Sequence, residues 1–166
     1  MPLLPGGYRK SMKQDLFQFH TPDAAELRSP YYRSLLLEAD PSPDSLAAYP
    51  ANSIIRALTN LEGLPVALLV AGPMKHGMEI LNLSVHPDFR RQGLAGRLVE
   101  EFLRGRKESV RVCTGSTSFP ALALYQKCDF RIQGIDPDYF LRNYDSPIYE
   151  AGIQLRDRLI LQWIPS

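Results

Sequence analysis

The sequence predicts a single α/β domain. Segments with strand-like alternation and segments with helical spacing follow one another along the chain instead of grouping by kind. The most apolar strand candidate, residues 78–85, runs into a Gly-containing loop and then into an amphipathic helix, the order of a β-loop-α unit. A length of 166 residues with 45% hydrophobic content is enough to build one proper core. Residues 1–12 read as a flexible leader and residues 13–166 as the domain.

Residues 15–20 read as a first short strand. Thr21 is a good N-cap with Pro22 at the first helical position, so a helix is expected there, bent or split at Pro30 and continuing over residues 31–39. Asp40-Pro41-Ser42-Pro43 breaks the chain before a short helical turn at residues 44–49. Residues 53–59 and 64–71 are strands joined by the turn 60–63, a hairpin. A second turn at 72–77 leads to the strand 78–85, expected to be central because it is so apolar. The next helix has a clear stripe: Leu94, Leu98 and Phe102 on one line, Ala95, Val99 and Leu103 on the next, with Arg97, Glu100, Glu101 and Arg104 away from it. Residues 109–113 form a short strand. Ala121, Leu124, Tyr125 and Cys128 then mark the inner face of another helix, followed by a strand at 130–135. Residues 153–163 read as a last strand, with Ile153, Leu155, Leu159, Leu161 and Trp163 on one face and Asp157 interrupting it.

Composition excludes several classes. A net charge of +1 does not suit a general nucleic-acid or membrane-surface binder. No apolar run approaches the ~20 residues that span a bilayer. The opening Met1-Pro2-Leu3-Leu4 lacks the basic start and long apolar core of a signal peptide. Cys113 and Cys128 make no metal pattern and read as inert thiols in a reducing cytoplasm. His20, His76 and His86 fit no nucleophilic triad, and no metal-ligand spacing occurs, so no metal is expected.

The most informative stretch is Val85-His86-Pro87-Asp88-Phe89-Arg90-Arg91-Gln92-Gly93-Leu94-Ala95-Gly96-Arg97-Leu98. Small residues at the start of a helix let a ligand approach the main chain, where unpaired N–H groups make an anion site suited to phosphate. Arg90, Arg91 and Arg97 add charge-assisted donors. The spacing is neither the dinucleotide fingerprint nor a P-loop. It resembles the acyl-CoA signature of the GNAT superfamily of N-acyltransferases, Arg/Gln-x-x-Gly-x-Gly/Ala, here Arg90-x-x-Gly93-x-Ala95. A second block, Ser118-Phe119-Pro120-Ala121-Leu122-Ala123-Leu124-Tyr125-Gln126-Lys127-Cys128-Asp129-Phe130, resembles that superfamily's Asn-x-x-Ala-x-x-Leu-Tyr-x-Lys-x-Gly-Phe. The resemblance covers roughly Leu64 to Gly134. Ser118 departs from Asn, and Asp129 stands where Gly usually ends the helix; Asp tolerates the left-handed conformation that stop requires.

The resemblance implies a mixed, twisted sheet of about seven strands with about four helices, splayed open after the strand ending near Val85. It implies acetyl-CoA as cofactor, its pantetheine arm paired with the backbone of Leu83, Ser84 and Val85. Its pyrophosphate would lie against the amides of Gln92, Gly93, Leu94, Ala95 and Gly96, with further contacts from Arg90, Arg91, Arg97, Ser118 and Lys127. Tyr125 would be the acid that protonates the leaving thiolate. Glu79, fourteen positions before Gly93, would be the base, with Glu79, Leu81 and Leu83 on one sheet face; solvent is the alternative base. Arg104, Arg106, Lys107 and Arg111 form a loose basic cluster for a 3′-phosphate.

The acceptor site is expected in the loop 136–150, which sets Asp136, Asp138, Asp145 and Glu150 against Arg142 and carries Tyr139, Tyr144 and Tyr149. Tyr31, Tyr32 and Tyr49 are expected to face it. Aromatic walls with acids suit a cationic amine: a peptide N-terminus, a lysine or a small amine. The reading is an N-acetyltransferase, monomer or homodimer; the alternative is a non-catalytic acyl-CoA sensor on the same fold.

Overall fold

A computed structural model describes residues 16–40 and 48–166. The leader, Asp15 and most of the turn expected at 44–49 lie outside the described residues. Seven strands form the main sheet: β1 (Phe17–His20), β2 (Ile54–Asn60), β3 (Pro65–Pro73), β4 (Met78–Val85), β5 (Val110–Gly115), β6 (Arg131–Asp136) and the last strand, β9 (Arg158–Trp163). Their spatial order is β1-β2-β3-β4-β5-β9-β6. β7 (Tyr149–Glu150) and β8 (Ile153–Gln154) make a separate hairpin. The helices are α1 (Pro30–Ala39), α2 (Leu94–Leu103), α3 (Phe119–Lys127) and the single-turn α4 (Tyr139–Asn143).

β3 is buried almost end to end because both of its faces are covered. On one side Leu68 and Val70 pack with Tyr32 and Leu35 of α1. On the other, Ala67, Leu69 and Ala71 meet Leu94, Leu98, Val99 and Phe102 of α2 and Tyr125 of α3. The α2 stripe is the predicted one, and each of its fully buried large side chains contributes about 1.5–3 kcal/mol.

Several local expectations change. The first helix begins at Pro30, not after Thr21. Asp23 Oδ1 instead accepts the N–H groups of Ala25 and Glu26, each at 2.8 Å, and Glu26 Oε2 accepts Asp23 N–H at 2.8 Å. That reciprocal pair closes a short 3-10 turn at Glu26–Arg28, and Pro30 then takes the first helical position, where its missing N–H costs nothing. The expected last strand is two pieces. Asp157 lies between them because its groups serve other segments: its carbonyl accepts Ser116 N–H, and its carboxylate accepts Asp138 N–H at 2.9 Å.

The stop after α3 is the one foreseen. Asp129 is left-handed at φ 64°, Phe130 N–H reaches Tyr125 O at 3.0 Å, and Asp129 N–H reaches Gln126 O at 3.2 Å. These are the two bonds of a Schellman ending, which favours Gly at this position. Asp129→Gly is therefore expected to stabilise the protein by about 1 kcal/mol, read as a rise in melting temperature of about 2–4 °C.

One irregularity shapes the site. β3 and β4 pair in register from Ala67–Val85 to Val70–Asn82, then skip to Ala71–Ile80, so Leu81 is a bulge. A bulge bends its strand and reverses the side-chain alternation beyond it. Leu83 and Val85 consequently pack into the same core as Met78 and Ile80, while Asn82 turns to α1. The expectation that Glu79, Leu81 and Leu83 share one face is thus corrected: Leu83 lies opposite Glu79. Room for Leu81 comes from Gly72, where an added Cβ would stand 2.8 Å from Leu81 Cδ1.

Candidate active site

β4 and β5 are parallel neighbours for only three residue pairs, Met78–Val110, Glu79–Arg111 and Ile80–Val112. Beyond Ile80, at the bulge, they part. Residues 82–85 keep their β3 partners, and residues 81–85 have no ladder on the β5 side. The sheet is therefore splayed on the far side of β4, as expected, and the opening begins within that strand.

The opening is a groove with two lobes that share Ala39, Leu83, Pro120 and Ala121. The inner lobe, about 630 Å³, lies between β4 and β5 and is lined by Ile80 to Leu83, Val112 to Thr114, Thr117, Ser118, Tyr125 and Glu150. The outer lobe, about 790 Å³, is lined by Ser84, Val85, Phe89, Arg90, Arg91 and Gly93 to Gly96. Gly93 precedes α2 at φ 78°, and Arg91 is also left-handed at φ 61°. Left-handed residues before a helix turn successive backbone N–H groups toward one point, an anion-binding arrangement. A Cβ at Gly93 would meet nothing within 4 Å, so only backbone conformation, not crowding by the protein, calls for glycine there.

Of the residues the sequence singled out, Leu83, Ser84, Val85, Arg90, Arg91, Gly93, Leu94, Ala95 and Gly96 are brought together around the outer lobe. Ser118 and Tyr125 line the inner one. Ser84 Oγ is buried and has no hydrogen-bond partner among the described residues. Arg90 reaches Val85 O at 3.3 Å through Nε and pairs with Glu38 of α1 through Nη2, so part of its donor fork is already engaged. Gln92 is exposed beside the loop.

Others are not brought to the groove. Arg97 turns to β1, where it bonds Phe17 O at 3.4 Å and lies 5.2 Å over the Phe19 ring. Lys127 is exposed at the end of α3. Of the basic cluster, Arg104, Arg106 and Lys107 line a separate cleft away from both lobes, Arg104 paired with Glu101 and Arg106 with Glu108, while Arg111 pairs with Glu79. Tyr32 is a core residue on the buried face of α1, where burial pushes its phenol up to about 12. Tyr31 is exposed. Tyr49 accepts the Asn82 amide at 3.1 Å. Tyr139 lies under the Arg158 guanidinium, 3.8 Å from the ring centroid, and against Phe140. Asp145 is exposed and lines neither lobe.

The acidic character expected of the 136–150 loop is partly cancelled by arginines, one within the loop and two that follow it. Asp136 pairs with Arg142 and Arg158, and Asp138 with Arg156. Within the inner lobe Glu150 is the single charged lining residue among the described residues. It arrives on the β7–β8 hairpin, whose turn Ala151-Gly152 has both residues left-handed, at φ 52° and 74°. Ser118 Oγ donates to its Oε2.

Tyr125 is buried, packs edge-to-face on Phe130 at 5.5 Å, and burial holds its phenol protonated well above the usual range. Glu79 receives Arg111 Nη2 at 2.6 Å, one step below the point where β4 and β5 part, and lines neither lobe. Cys113 lines the inner lobe, and burial pushes its thiol up to about 11. Sequence reasoning missed Asn82 and Thr117; a polar residue inside the apolar run of β4 was the available signal for the first.

The Acetyltransferase (GNAT) domain model matches residues 55–132, the span that holds β2 to β5, the Gly93 loop and α3. The uncharacterized N-acetyltransferase YvbK of Bacillus subtilis is 36% identical over 131 residues, 76% of this chain and 84% of that protein. The chain belongs to the GNAT acetyltransferase family. Structures of other GNAT proteins share its fold. A GNAT family acetyltransferase from Elizabethkingia anophelis with acetyl-CoA bound superposes with a TM-score of 0.82, at 29% identity, over 91% of this chain and 99% of that one. A Bacillus subtilis acetyltransferase in complex with CoA gives 0.79, at 32% identity, over 90% and 98%. As a GNAT member the protein is an acetyltransferase whose acyl donor is acetyl-CoA. Among the described residues no helix is long and apolar enough to cross a membrane.

Proposed function

We propose that the protein transfers the acetyl group of acetyl-CoA to a primary amine by direct attack on the thioester, with the donor in the outer lobe and the reaction in the inner one. The observation that carries this reading is the unpaired β5-facing edge of β4 next to the left-handed Gly93 at the start of α2. The free edge of residues 81–85 can pair with the amides of a pantetheine arm as a further strand would. The first turn of α2 can take a pyrophosphate on its N–H groups, with Arg91 beside it. The unpartnered Ser84 hydroxyl supports a polar ligand group on that path.

When bound, acetyl-CoA supplies the activated acyl thioester. The chain's own groups do the rest. A free N–H of β4 near the bulge stabilises the oxyanion that develops on the carbonyl oxygen. As the C–N bond forms and the C–S bond breaks, Tyr125 gives its hydroxyl proton to the departing sulfur. Glu79 takes a positioning part: held by Arg111 outside the groove, it fixes the rung next to the last one before the strands separate. The two unpaired cysteines suit a reducing cytoplasm.

The test is thiol release from acetyl-CoA with a panel of amines, beside calorimetry on acetyl-CoA alone. Thiol release with at least one amine is expected. Failure to bind acetyl-CoA at all would remove the reading of the Gly93 loop as the donor site, whereas binding without release would remove only the amine acceptor.

A further inference from the structure

We infer that Glu150, with Asn82 and Thr117, forms the ammonium-binding subsite for the acceptor, and that Glu150 takes the proton the amine loses. The inference deepens the acetyl-transfer reading above and rests on it. Its starting point is the charge balance of the inner lobe. Asp136 and Asp138 are matched by arginines, Glu79 is matched by Arg111, and Glu150 is left as the lobe's own charge. Ser118 satisfies Oε2 of that carboxylate; among the described residues Oε1 has no hydrogen-bond partner.

Two further polar groups point to a ligand. Asn82 is 3% exposed and Thr117 is 7% exposed, and both line the same lobe. Among the described residues Asn82 Oδ1 and Thr117 Oγ1 have no hydrogen-bond partner. The orientation of the Asn82 amide follows from its neighbours. Its Nδ2 donates to Leu36 O at 2.9 Å and to Tyr49 Oη at 3.1 Å; a carbonyl only accepts, so Oδ1 is the atom left unpaired. Buried acceptors without donors are costly, and an ammonium group carries three N–H donors and no acceptor. A carboxylate, an amide oxygen and a hydroxyl in one partly apolar cleft therefore match a primary ammonium group. They match a carboxylate or phosphate acceptor poorly.

The chemistry closes on the same group. The acceptor binds as its ammonium form, one N–H proton passes to Glu150, and the freed nitrogen lone pair attacks the thioester carbon. The new C–N bond replaces the C–S bond, the sulfur leaves with the Tyr125 proton, and the second amine proton lost on forming the amide returns through solvent to restore the phenol. Ser118 thus acts on the acceptor side, where the family pattern more often has Asn.

The experiment compares wild type with Glu150→Gln, using acetyl-CoA with n-butylamine, 2-phenylethylamine, spermidine and a tetrapeptide with a free N-terminus. For the amines that wild type acetylates, Glu150→Gln is expected to lower kcat/KM by about 100-fold at pH 7, the lower end of what a proton-transfer group contributes. The deficit should shrink toward pH 9.5, where free amine is supplied by solution, while calorimetric acetyl-CoA affinity stays within about twofold. A purely structural link between the hairpin and α3 would give a deficit of the same size at every pH, and that result, or an unchanged kcat/KM, overturns the inference. Acetyl-CoA binding with no release for any of the four amines overturns it together with the amine reading. Loss of acetyl-CoA binding in wild type would instead strike the donor site.

Discussion

Tyr125→Phe is expected to lower kcat by about 10³-fold while leaving acetyl-CoA affinity within about twofold, a split that follows from removing one proton donor and no binding surface. The ring is fixed by packing, with Phe130 edge-on at 5.5 Å and the residue almost wholly buried at the wall of the inner lobe. Phe keeps that ring, so the fold should not respond. Burial raises the phenol's pKa, so the hydroxyl keeps its proton where an exposed tyrosine would begin to lose it. The sign of the pH dependence follows. The acid form persists through the whole alkaline assay range, and kcat in wild type should rise with pH to a plateau without falling by pH 9.5. Stopped assays of thiol release from pH 6.5 to 9.5 check both statements. A kcat for Tyr125→Phe within twofold of wild type would mean that the sulfur leaves as a thiolate and needs no acid.

Much of this arrangement was legible in the residues. β4 was read to its observed ends, because eight residues of Met-Glu-Ile-Leu-Asn-Leu-Ser-Val admit no other central strand. The α2 stripe and the left-handed stop at Asp129 were legible for similar reasons: each rests on local spacing or local backbone preference. What was hidden depends on partners distant in sequence. The bulge at Leu81 leaves no mark in β4, since Ile80, Leu81 and Leu83 are apolar whichever face they take; it follows from the register of β3 and the space at Gly72. The acid-rich loop looked like a cationic-ligand wall because its neutralising partners, Arg156 and Arg158, come after it. Tyr32 looked like an aromatic facing the acceptor loop because helical spacing does not say which tyrosine of Tyr31-Tyr32 faces the sheet. The groove itself was visible as a motif, and its chemistry only as a structure.

Gly93→Val is expected to weaken acetyl-CoA binding by at least 100-fold, about 2.7 kcal/mol at 25 °C. Two effects combine in that substitution, and they can be separated. The backbone at φ 78° is one that a β-branched residue adopts only under strain, so the variant should also lose stability. Independently, a Cβ here meets no heavy atom beyond its chain neighbours within 4 Å, and a side chain would project into the space proposed for the phosphate at the N–H groups of α2. Gly93→Asn isolates the second effect, because Asn accepts left-handed backbone at much lower cost while still filling that space. Calorimetry and thermal melts on both variants give the comparison. Gly93→Asn should melt within about 2 °C of wild type, which corresponds to less than about 1 kcal/mol for a chain of this size, and still bind acetyl-CoA at least 10-fold more weakly. Wild-type affinity in a correctly folded Gly93→Asn protein would move the pyrophosphate away from the first turn of α2. The donor would then have to be held by the free edge of β4 alone.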